Sequence, residues 1–387
     1  MGNKSKKFST KCVHEGEIKD TMYQGIVSPL FMSTTYPWFG GDDPEKKPYP
    51  RYFNTPNQEF LSKKIASLEN GEKALIFTSG MAAISTSIMA NVKTGDHIVV
   101  QNDIYGGTRN FVLTEFDKFG IEYSFTDGLD PSSFSDQIKD NTVGIYLETP
   151  SNPLLKIVDL KSLSSIAKDN GLWTMIDNTF SSPVNQNPID HGIDIVLHSA
   201  TKYLGGHSDI SAGAVISTES RIEQILNSAK NFGGNLSDYT VWLLERSIKT
   251  LHIRVKEQTN NAKTLAKMLD ENTNISKVYY PGLESHPSHE IAKSQMNDFG
   301  GMMSFDLNNN VDVYDFLKSL NLVKPGMSLA GVETTVNFPM KTSHGLMTQK
   351  ERDIQGIGDK LIRLSVGIES YEDIYEDLDQ AIKSSIK

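Results

Sequence analysis

Lys202 lies in a setting that a surface lysine does not need. It falls in "HSATKYLGGHSD" (residues 198–209), directly after an apolar stretch that predicts a buried strand, and Ser199 and Thr201 flank it. A lysine removed from water loses its proton more readily, and a neutral amine forms a Schiff base with an aldehyde. A lysine after a strand more often pairs with a carboxylate. The hydroxyl groups of these two neighbours could bind phosphate oxygens, however, and this favours a lysine that bonds an aldehyde beside an anion.

Two further stretches could complete such a site. In "FTSGMAAIS", Gly80 and Met81 begin a predicted helix directly after a predicted strand, and the N–H groups of a helix N-terminus attract anions. An ordinary strand-to-helix turn would explain the same residues. In "MIDNTF", Asp177 ends an apolar strand, where an unpaired carboxylate is costly and a protonated pyridine nitrogen would be a suitable partner. A nearby arginine or a helix-capping role is the alternative.

An aromatic ring and a guanidinium group extend the set of candidate residues. Tyr105, in "DIYGGT", could stack on a flat cofactor and relay protons, or it could be a core tyrosine. Arg363, in "LIRLSVG", could bind a carboxylate with its fork of donors, or it could form a structural ion pair. His286 and His289 form an H-x-x-H pair without a further ligand at suitable spacing, so we predict no metal.

The elements around these residues must bring them together. From about residue 60, segments with strand patterns alternate with segments of helical spacing, which predicts a mainly parallel sheet with helices on both faces. Ligands of such sheets lie beyond the carboxyl ends of the strands. Polar clusters of different chemistry fall at those predicted ends: Thr78–Met81, Asp103–Gly107, Glu148–Asn152, Asp177–Thr179 and Ser199–Lys202.

The composition and the residue patterns of the sequence divide the chain into three predicted parts. Residues 1–60 are rich in proline and aromatic residues, which indicates an irregular N-terminal arm that packs against another surface, such as a neighbouring subunit. Residues 61–250 carry the strand–helix alternation and the candidate site. Residues 251–387 begin with a long helical pattern and continue with mixed strands and helices, which predicts a smaller C-terminal α+β domain.

Composition excludes several classes of function. The net charge of −10 argues against binding to nucleic acid or to anionic membranes, because both require a basic surface. One cysteine, Cys12, rules out an intramolecular disulfide. The polar, basic start has no signal-peptide core, and no apolar run has the length of a membrane span. We therefore expect a cytoplasmic protein with a small-molecule substrate.

Taken together, these stretches resemble the Cys/Met-metabolism family of pyridoxal-phosphate (PLP) enzymes. The resemblance spans nearly the whole chain, and its motifs follow in the family order: "YPRYFNTPN", "SGMAAIS", "YGGT", "ETPSNP", "IDNTF", "HSATKYLGGHSD", "ERSIKTLHIR", "HPSHEIAKSQM", "FGGMMSFDL" and "LIRLSVGIE". It implies the type I aminotransferase-like fold, with a sheet of the seven-stranded type and a small C-terminal domain. It also implies pyridoxal 5′-phosphate as the cofactor.

The resemblance implies a role for each matching residue. Lys202 would carry the cofactor in a Schiff base and remove the Cα proton, Asp177 would pair with the pyridine nitrogen, and Tyr105 would stack on the ring. Within the same chain, the phosphate would be bound by Gly80, Met81, Ser199 and Thr201. A neighbouring subunit would bind it with Tyr49 and Arg51. The substrate would be bound by Asn152, Arg363, Glu333 and the main chain near Thr334.

The same resemblance points to a trans-sulfuration enzyme. Glu333 stands where γ-synthases and cystathionine γ-lyases have a glutamate, and Gly107 stands where methionine γ-lyases tend to have a cysteine. Thr334 replaces the usual serine. We predict a homotetrameric C–S lyase that cleaves cystathionine by γ-elimination. The alternatives are a cystathionine γ-synthase or O-acylhomoserine sulfhydrylase, a methionine γ-lyase, and, from another class, an inactive PLP-fold protein with a binding or regulatory role.

Overall fold

In the computed structural model, residues 6–38, 40, 47–126, 128–345 and 347–387 are described, and their strands form a large sheet of seven strands and a small sheet of five. The large sheet consists of β1 Lys73–Phe77, β2 His97–Val100, β3 Glu122–Phe125, β4 Thr142–Glu148, β5 Trp173–Asp177, β6 Ile195–His198 and β7 Gly213–Ser217. The small sheet consists of β8 Ile275–Tyr279, β9 Met302–Leu307, β10 Lys324–Pro325, β11 Thr335–Asn337 and β12 Leu361–Ser365.

The α-helices divide between the two sheets in chain order. The helices up to residue 248 are α1 Phe8–His14, α2 Pro56–Leu68, α3 Gly80–Ala90, α4 Gly106–Phe119, α5 Pro131–Ser135, α6 Leu160–Asp169, α7 Ser182–Asn185, α8 Glu219–Phe232 and α9 Asp238–Ile248. The later helices are α10 Leu251–Asp270, α11 His289–Gln295, α12 Val313–Ser319, α13 Gln349–Gln355 and α14 Tyr371–Ser384.

The large sheet has the strand order β1-β7-β6-β5-β4-β2-β3. The neighbours from β6 to β3 pair in parallel, and β7 runs antiparallel to both β1 and β6. The carboxyl ends of β1, β2, β4, β5 and β6 therefore meet at one edge of the sheet. This arrangement confirms the predicted fold class, a mainly parallel seven-stranded sheet.

Helices cover both faces of the large sheet because successive strand residues point to opposite sides. Met175 belongs to a buried apolar cluster that includes residues of α3, α4 and α8. Its neighbour Ile176 belongs to a second cluster, with residues of α2, α6 and α9. Each strand thus contributes alternate residues to two cores, and this double burial holds the strand ends in fixed positions.

Capping residues define where α2 and α3 begin, and both helices begin near the carboxyl edge of the sheet. Thr55 and Gln58 form a capping box at the start of α2, with Pro56 at the first helical position. The Ser79 hydroxyl accepts a hydrogen bond from the Ala82 N–H at 3.0 Å and so caps α3. Because α3 starts three residues after β1 ends, its N-terminus lies at this edge.

The small sheet has the order β10-β11-β12-β9-β8. Its central strand β12 pairs antiparallel with β9, and Arg363 lies opposite Ser304 in that register. Residues of α10, α12 and α14 form the apolar core beside this sheet. The core fixes the backbone of β12 and, with it, the position of Arg363.

Strands and helices predicted from the alternation are present. The elements that were not predicted are α1, α7, α8, α9, α11, α13, α14, β8, β10 and β11. Of the predicted N-terminal arm, residues 1–5, 39 and 41–46 lie outside the described residues. Within the described part of the chain, no helix combines the length and apolar character that a membrane crossing requires. No group of three or more His, Cys, Asp or Glu side chains in that part has the arrangement of a metal site.

Candidate active site

A cavity of about 230 Å³ lies where the carboxyl edge of the large sheet meets the small sheet. Each of the five predicted polar clusters contributes at least one lining residue. The predicted site residues that line the cavity are Gly80, Met81, Tyr105, Asn152, Asp177, Ser199, Thr201, Lys202 and Arg363. Residues far apart in sequence therefore converge here, as expected for the ligand site of an α/β sheet.

Lys202 projects into this cavity from the turn after β6. The turn is closed by backbone hydrogen bonds from Lys202 N–H to Ser199 C=O and from Gly205 N–H to Ala200 C=O. Burial, with a smaller contribution from the cationic Arg363, lowers the Lys202 pKa to about 8, and the Asp177 carboxylate opposes this shift. Its Nζ donates a hydrogen bond to the Ser328 hydroxyl at 2.9 Å. A neutral, nucleophilic amine is thus accessible near neutral pH.

Asp177 occupies the last position of β5 and is buried. One of its carboxylate oxygens accepts the Thr179 N–H at 3.0 Å. Burial raises the Asp177 pKa, while the hydrogen bonds from Thr179 and the nearby His198 and Lys202 favour the ionised form. The carboxylate is therefore suited to meet a cationic group of a ligand inside the cavity.

The start of α3 and the turn after β6 form a cradle for an anion. A Cβ atom at Gly80 would lie 2.8 Å from the Ser199 Cβ, so a larger residue would force the two segments apart. The Thr201 hydroxyl and backbone exchange hydrogen bonds with Ala212, which fixes the turn. Backbone N–H groups of the first turn of α3 lack helical partners, and hydroxyl side chains line the same space. This combination suits a phosphate group.

Glu148 also lines the cavity, although the sequence analysis assigned it no role. It ends β4, and its Oε2 accepts the Tyr105 N–H at 2.7 Å, directly before α4. Burial and the neighbouring Asp177 carboxylate raise the Glu148 pKa well above its usual range. A Cβ at Gly107 would lie 2.5 Å from the Tyr105 ring, so the ring lies against this glycine. Its place as a polar residue at the end of a predicted buried strand was the feature of the sequence that pointed to Glu148.

Arg363 and Asn152 lie together in the wall of the cavity. The Arg363 Nη1 donates to the Asn152 Oδ1 at 3.0 Å, and both side chains are buried. Burial lowers the Arg363 pKa to about 10, so the guanidinium remains charged at neutral pH. A buried cation next to a free amide is a suitable partner for the carboxylate of an amino acid.

The remaining predicted site residues do not line this cavity. Tyr49 is 44% exposed, and the Arg51 Nη1 donates to the Lys230 carbonyl at 2.8 Å on the outer surface. Thr334 is buried, and Glu369 accepts hydrogen bonds from both its N–H and its hydroxyl. Glu333 is exposed. Within the described chain these residues therefore lie apart from Lys202 and its neighbours.

Residues from irregular segments complete the lining, and no pattern in the sequence predicted them. Ser343, Met327 and Leu329 come from the small-sheet side. They belong to segments without helical or strand periodicity, so only tertiary packing brings them to the cavity.

A partly buried lysine, a buried acid and an anion cradle thus lie together at one edge of the α/β sheet, an arrangement typical of an enzyme active site. The model of the Cys/Met metabolism PLP-dependent enzyme family matches residues 9–383. The chain belongs to this family.

Individual relatives agree with this assignment. The chain is 41% identical to a cystathionine beta-lyase of Lactococcus lactis subsp. cremoris (strain MG1363), over 97% of this chain and 99% of the relative. It is 40% identical to a cystathionine gamma-lyase of Bacillus subtilis (strain 168), over 98% and 100%. The structure of cystathionine gamma-lyase from Lactobacillus plantarum complexed with L-serine superimposes with a TM-score of 0.94 at 37% identity, covering 98% of this chain and 99% of that one.

These similarities confirm the predicted family, fold and enzyme class. The protein is an enzyme of a PLP-dependent family of cysteine and methionine metabolism whose members act on small amino acids. Relatives of similar identity bear the names of different reactions, so the family does not by itself define the substrate of this chain.

Proposed function

We propose that this enzyme is a carbon–sulfur lyase that cleaves L-cystathionine by γ-elimination with pyridoxal 5′-phosphate on Lys202. The observation that carries the proposal is the convergence of Lys202, Asp177 and Arg363 in one cavity. An amine, an acid and a carboxylate-binding cation are the groups that amino-acid chemistry on this cofactor requires.

The described residues fit pyridoxal 5′-phosphate. The cradle around Gly80, Ser199 and Thr201 suits the phosphate, and the buried Asp177 suits the pyridine nitrogen. Tyr105 is 42% exposed and lines the cavity, so its ring would be available to stack on the cofactor. When bound, the cofactor supplies an electron sink for the electrons released by breaking a bond at the substrate Cα.

The protein groups would direct that chemistry. Arg363 and Asn152 bind the substrate carboxylate and thereby orient the Cα–H bond. The Lys202 Nζ takes the Cα proton, since its lowered pKa makes the neutral amine available. In γ-elimination the Cβ proton would next pass to Lys202 or the Tyr105 oxygen, the Cγ–S bond would break, and that proton would pass on to the departing cysteine sulfur. Glu333 is exposed and does not line the cavity, so in this proposal it would bind the distal amino group of a cystathionine molecule that extends beyond the cavity.

The complete site would need a second subunit, in a homotetramer built as a dimer of active dimers. Tyr49 and Arg51 are on the outer surface, where they are available to the cofactor phosphate of a neighbour. The N-terminal segment also exposes large apolar side chains, including Tyr23, Ile26 and Met32, that a partner would cover. This supports an arm of residues 1–60 beside a cofactor domain of residues 61–250 and a small domain of residues 251–387.

Cleavage on the other side of the sulfur is the second candidate function. The 41% identity with the cystathionine beta-lyase of L. lactis favours β-elimination. The two reactions share removal of the Cα proton and differ in the bond that breaks next. The described cavity contains the groups for that shared step.

A product assay separates these functions. The PLP-loaded enzyme is incubated with L-cystathionine alone, and the thiol and the 2-oxoacid are identified by mass spectrometry. The proposal expects cysteine, 2-oxobutyrate and ammonia, whereas homocysteine, pyruvate and ammonia would establish β-elimination. Cystathionine formed from an O-acylhomoserine and cysteine, with no cleavage of cystathionine, would establish a synthase. Methanethiol released from L-methionine in strong preference to cleavage of cystathionine would establish a methionine γ-lyase.

A further inference from the structure

Glu148 lines the cavity, but the proposed function assigns it no role. It ends β4 and is 4% exposed. Its side chain lies on the same face of the sheet as that of Asp177, because the two residues are opposite each other in the parallel register of β4 and β5. A second buried acid at this position needs an explanation, since two carboxylates held side by side repel each other.

Hydrogen bonds connect Glu148 to both ends of the segment between β2 and α4, residues 101–105, which we call the Tyr105 segment. At one end, the Glu148 N–H donates to the Gln101 Oε1 at 3.0 Å, and the Gln101 Nε2 donates to the Glu148 carbonyl at 2.9 Å. At the other end, the Glu148 Oε2 accepts the Tyr105 N–H at 2.7 Å. One residue of β4 therefore anchors the whole segment.

The position of the Tyr105 ring depends on this anchored backbone. Tyr105 is the N-cap of α4, and within the described chain its side chain makes no capping hydrogen bond. The ring is 42% exposed, so packing against the interior covers only part of it. A Cβ at Gly107 would lie 2.5 Å from the ring, and a Cβ at Gly106 would clash with the Ser343 carbonyl. The close fit of this turn leaves the ring where the Tyr105 backbone places it.

A neutral carboxyl group is sufficient for the contact with the Tyr105 N–H. The contact requires an oxygen that accepts a hydrogen bond, and a protonated carboxyl group also provides one. Burial and the Asp177 carboxylate raise the Glu148 pKa well above its usual range, which favours this form. Glutamine has the same length and the same acceptor, so it reproduces a neutral Glu148.

We propose that Glu148 is a positioning residue that holds the Tyr105 backbone and thereby keeps the Tyr105 ring in place against the cofactor. This proposal rests on the proposed function, because that function assigns the ring to the cofactor. Glu148 acts through Tyr105 and not through a contact of its own with cofactor or substrate. The two roles differ in what the loss of Glu148 does once the ring has been removed.

A double-mutant cycle on PLP binding separates these two roles. The variants are Glu148→Ala, Tyr105→Ala and the double variant, and Tyr105→Ala removes the ring but keeps the N–H that Glu148 accepts. The Kd for PLP is measured by fluorescence titration of each apoenzyme, together with its thermal midpoint. The matched control is Thr142→Ala on the same strand. Thr142 begins β4 at the end away from the cavity, and its hydroxyl accepts the Lys139 N–H at 2.8 Å.

We expect Tyr105→Ala to raise the Kd for PLP about tenfold, the upper range for an aromatic contact. Glu148→Ala should raise the Kd about fivefold, as the loss of one hydrogen bond would. In the Tyr105→Ala background it should cause no further rise, because no ring is left to misplace. Glu148→Gln should recover most of the affinity that Glu148→Ala loses. Thr142→Ala should lower the thermal midpoint without changing the Kd.

The outcomes distinguish the two proposals. A wild-type enzyme that neither binds PLP nor turns over an amino acid would overturn the proposed function. If the wild type binds PLP, an unchanged Kd in Glu148→Ala would overturn the positioning role, as would an equal effect of this substitution with and without the Tyr105 ring. A Glu148→Gln variant as weak as Glu148→Ala would also contradict it. If Glu148→Ala does not fold, Glu148→Met provides the second variant, because it fills the same volume without an acceptor for the Tyr105 N–H.

Discussion

At the scale of single residues, burial shifts the pKa values of the groups in this cavity toward their neutral forms. It lowers the pKa of Lys202 to about 8 and raises those of Asp177 and Glu148. A lysine with an accessible neutral form and a buried acid at one site are typical of a catalytic centre rather than of a surface ion pair. The proposed function assigns each group a role that follows from its neighbours: Lys202 would be the nucleophile and base, and Asp177 the partner for a cation.

The lowered pKa of Lys202 predicts its reactivity in the apoenzyme. The protonated amine is unreactive, so labelling of Lys202 by an amine-selective reagent should increase as the pH rises through about 8 and then level off. A lysine in a short peptide should keep gaining reactivity up to about pH 10.4. Peptide mass spectrometry after brief labelling at a series of pH values measures this curve.

Two variants serve as controls for the labelling curve. Lys202→Ala should lose the label and the production of 2-oxoacid while keeping the thermal midpoint of the wild type. Arg363→Met should shift the Lys202 curve to higher pH, because the guanidinium contributes to the lowered pKa. Labelling of wild-type Lys202 that continues to rise up to pH 10 would contradict the role of burial.

At the scale of elements, α13 and the segment before it connect the small-sheet side to the mouth of the cavity. Ser343 lines the cavity, and the Glu351 carboxylate on α13 pairs with Arg109 on α4 at 3.0 Å. The Gln355 side chain donates to the Asn102 carbonyl at 2.9 Å. Polar contacts to α4 and to the segment between β2 and α4 therefore help to hold α13 near the cavity.

The substitution Glu351→Gln tests this connection with little disturbance of α13 itself. Glutamine can replace glutamate in the capping box with Thr348, whereas the ion pair with Arg109 is lost. A partly exposed ion pair contributes about 0.5 kcal/mol, so we expect the KM for the amino acid to rise about two- to threefold with kcat less affected. Steady-state kinetics measure both constants.

The matched control is Glu115→Gln on the exposed side of α4. Glu115 pairs with Lys118 at 2.8 Å and does not line the cavity, so its loss should leave KM unchanged. Equal KM values for Glu351→Gln and the wild type would show that α13 does not help to hold the substrate.

The regular elements were the predictable part of this protein. Asp177 and Lys202 were identified because each follows a short apolar run, and parallel strands place their carboxyl ends at one edge. Glu148 ends such a strand as well, but its chemistry depends on contact with the Tyr105 backbone. Ser343 and Ser328 lie in segments without periodicity, so only the packing of the small sheet against the large one reveals them.

At the scale of the whole molecule, exposed apolar side chains on the surface of one chain indicate that a second subunit covers them. Ile26 is 95% exposed and Tyr23 is 83% exposed, which is unusual for apolar side chains that have no partner surface. Arg51 lies over the rings of Tyr49 and Tyr52 and is held on the outside of the molecule. These features fit an arm that contributes to the cofactor site of a neighbour.

Mixing two inactive variants tests whether the active site is shared between subunits. Arg51→Ala removes the proposed phosphate contact to the neighbour, and Lys202→Ala removes the amine within the subunit's own cavity. In a mixed dimer, one site receives the intact Lys202 of one chain and the intact Arg51 of the other, while the second site lacks both. The purified mixed dimer should therefore have about half of wild-type activity, since one of the two equivalent sites of a two-fold dimer is intact.

The measurement requires that subunits exchange, so the two variants carry different affinity tags and are refolded together before the mixed species is purified. Activity in the mixed species, with near-zero activity in each variant alone at limiting PLP, would establish that Arg51 acts across the interface. Arg51→Ala alone with full activity and unchanged PLP affinity would show that this residue does not contact the cofactor. A mixed species that stays inactive would assign Arg51 to its own subunit, and the arm would then have a purely structural role.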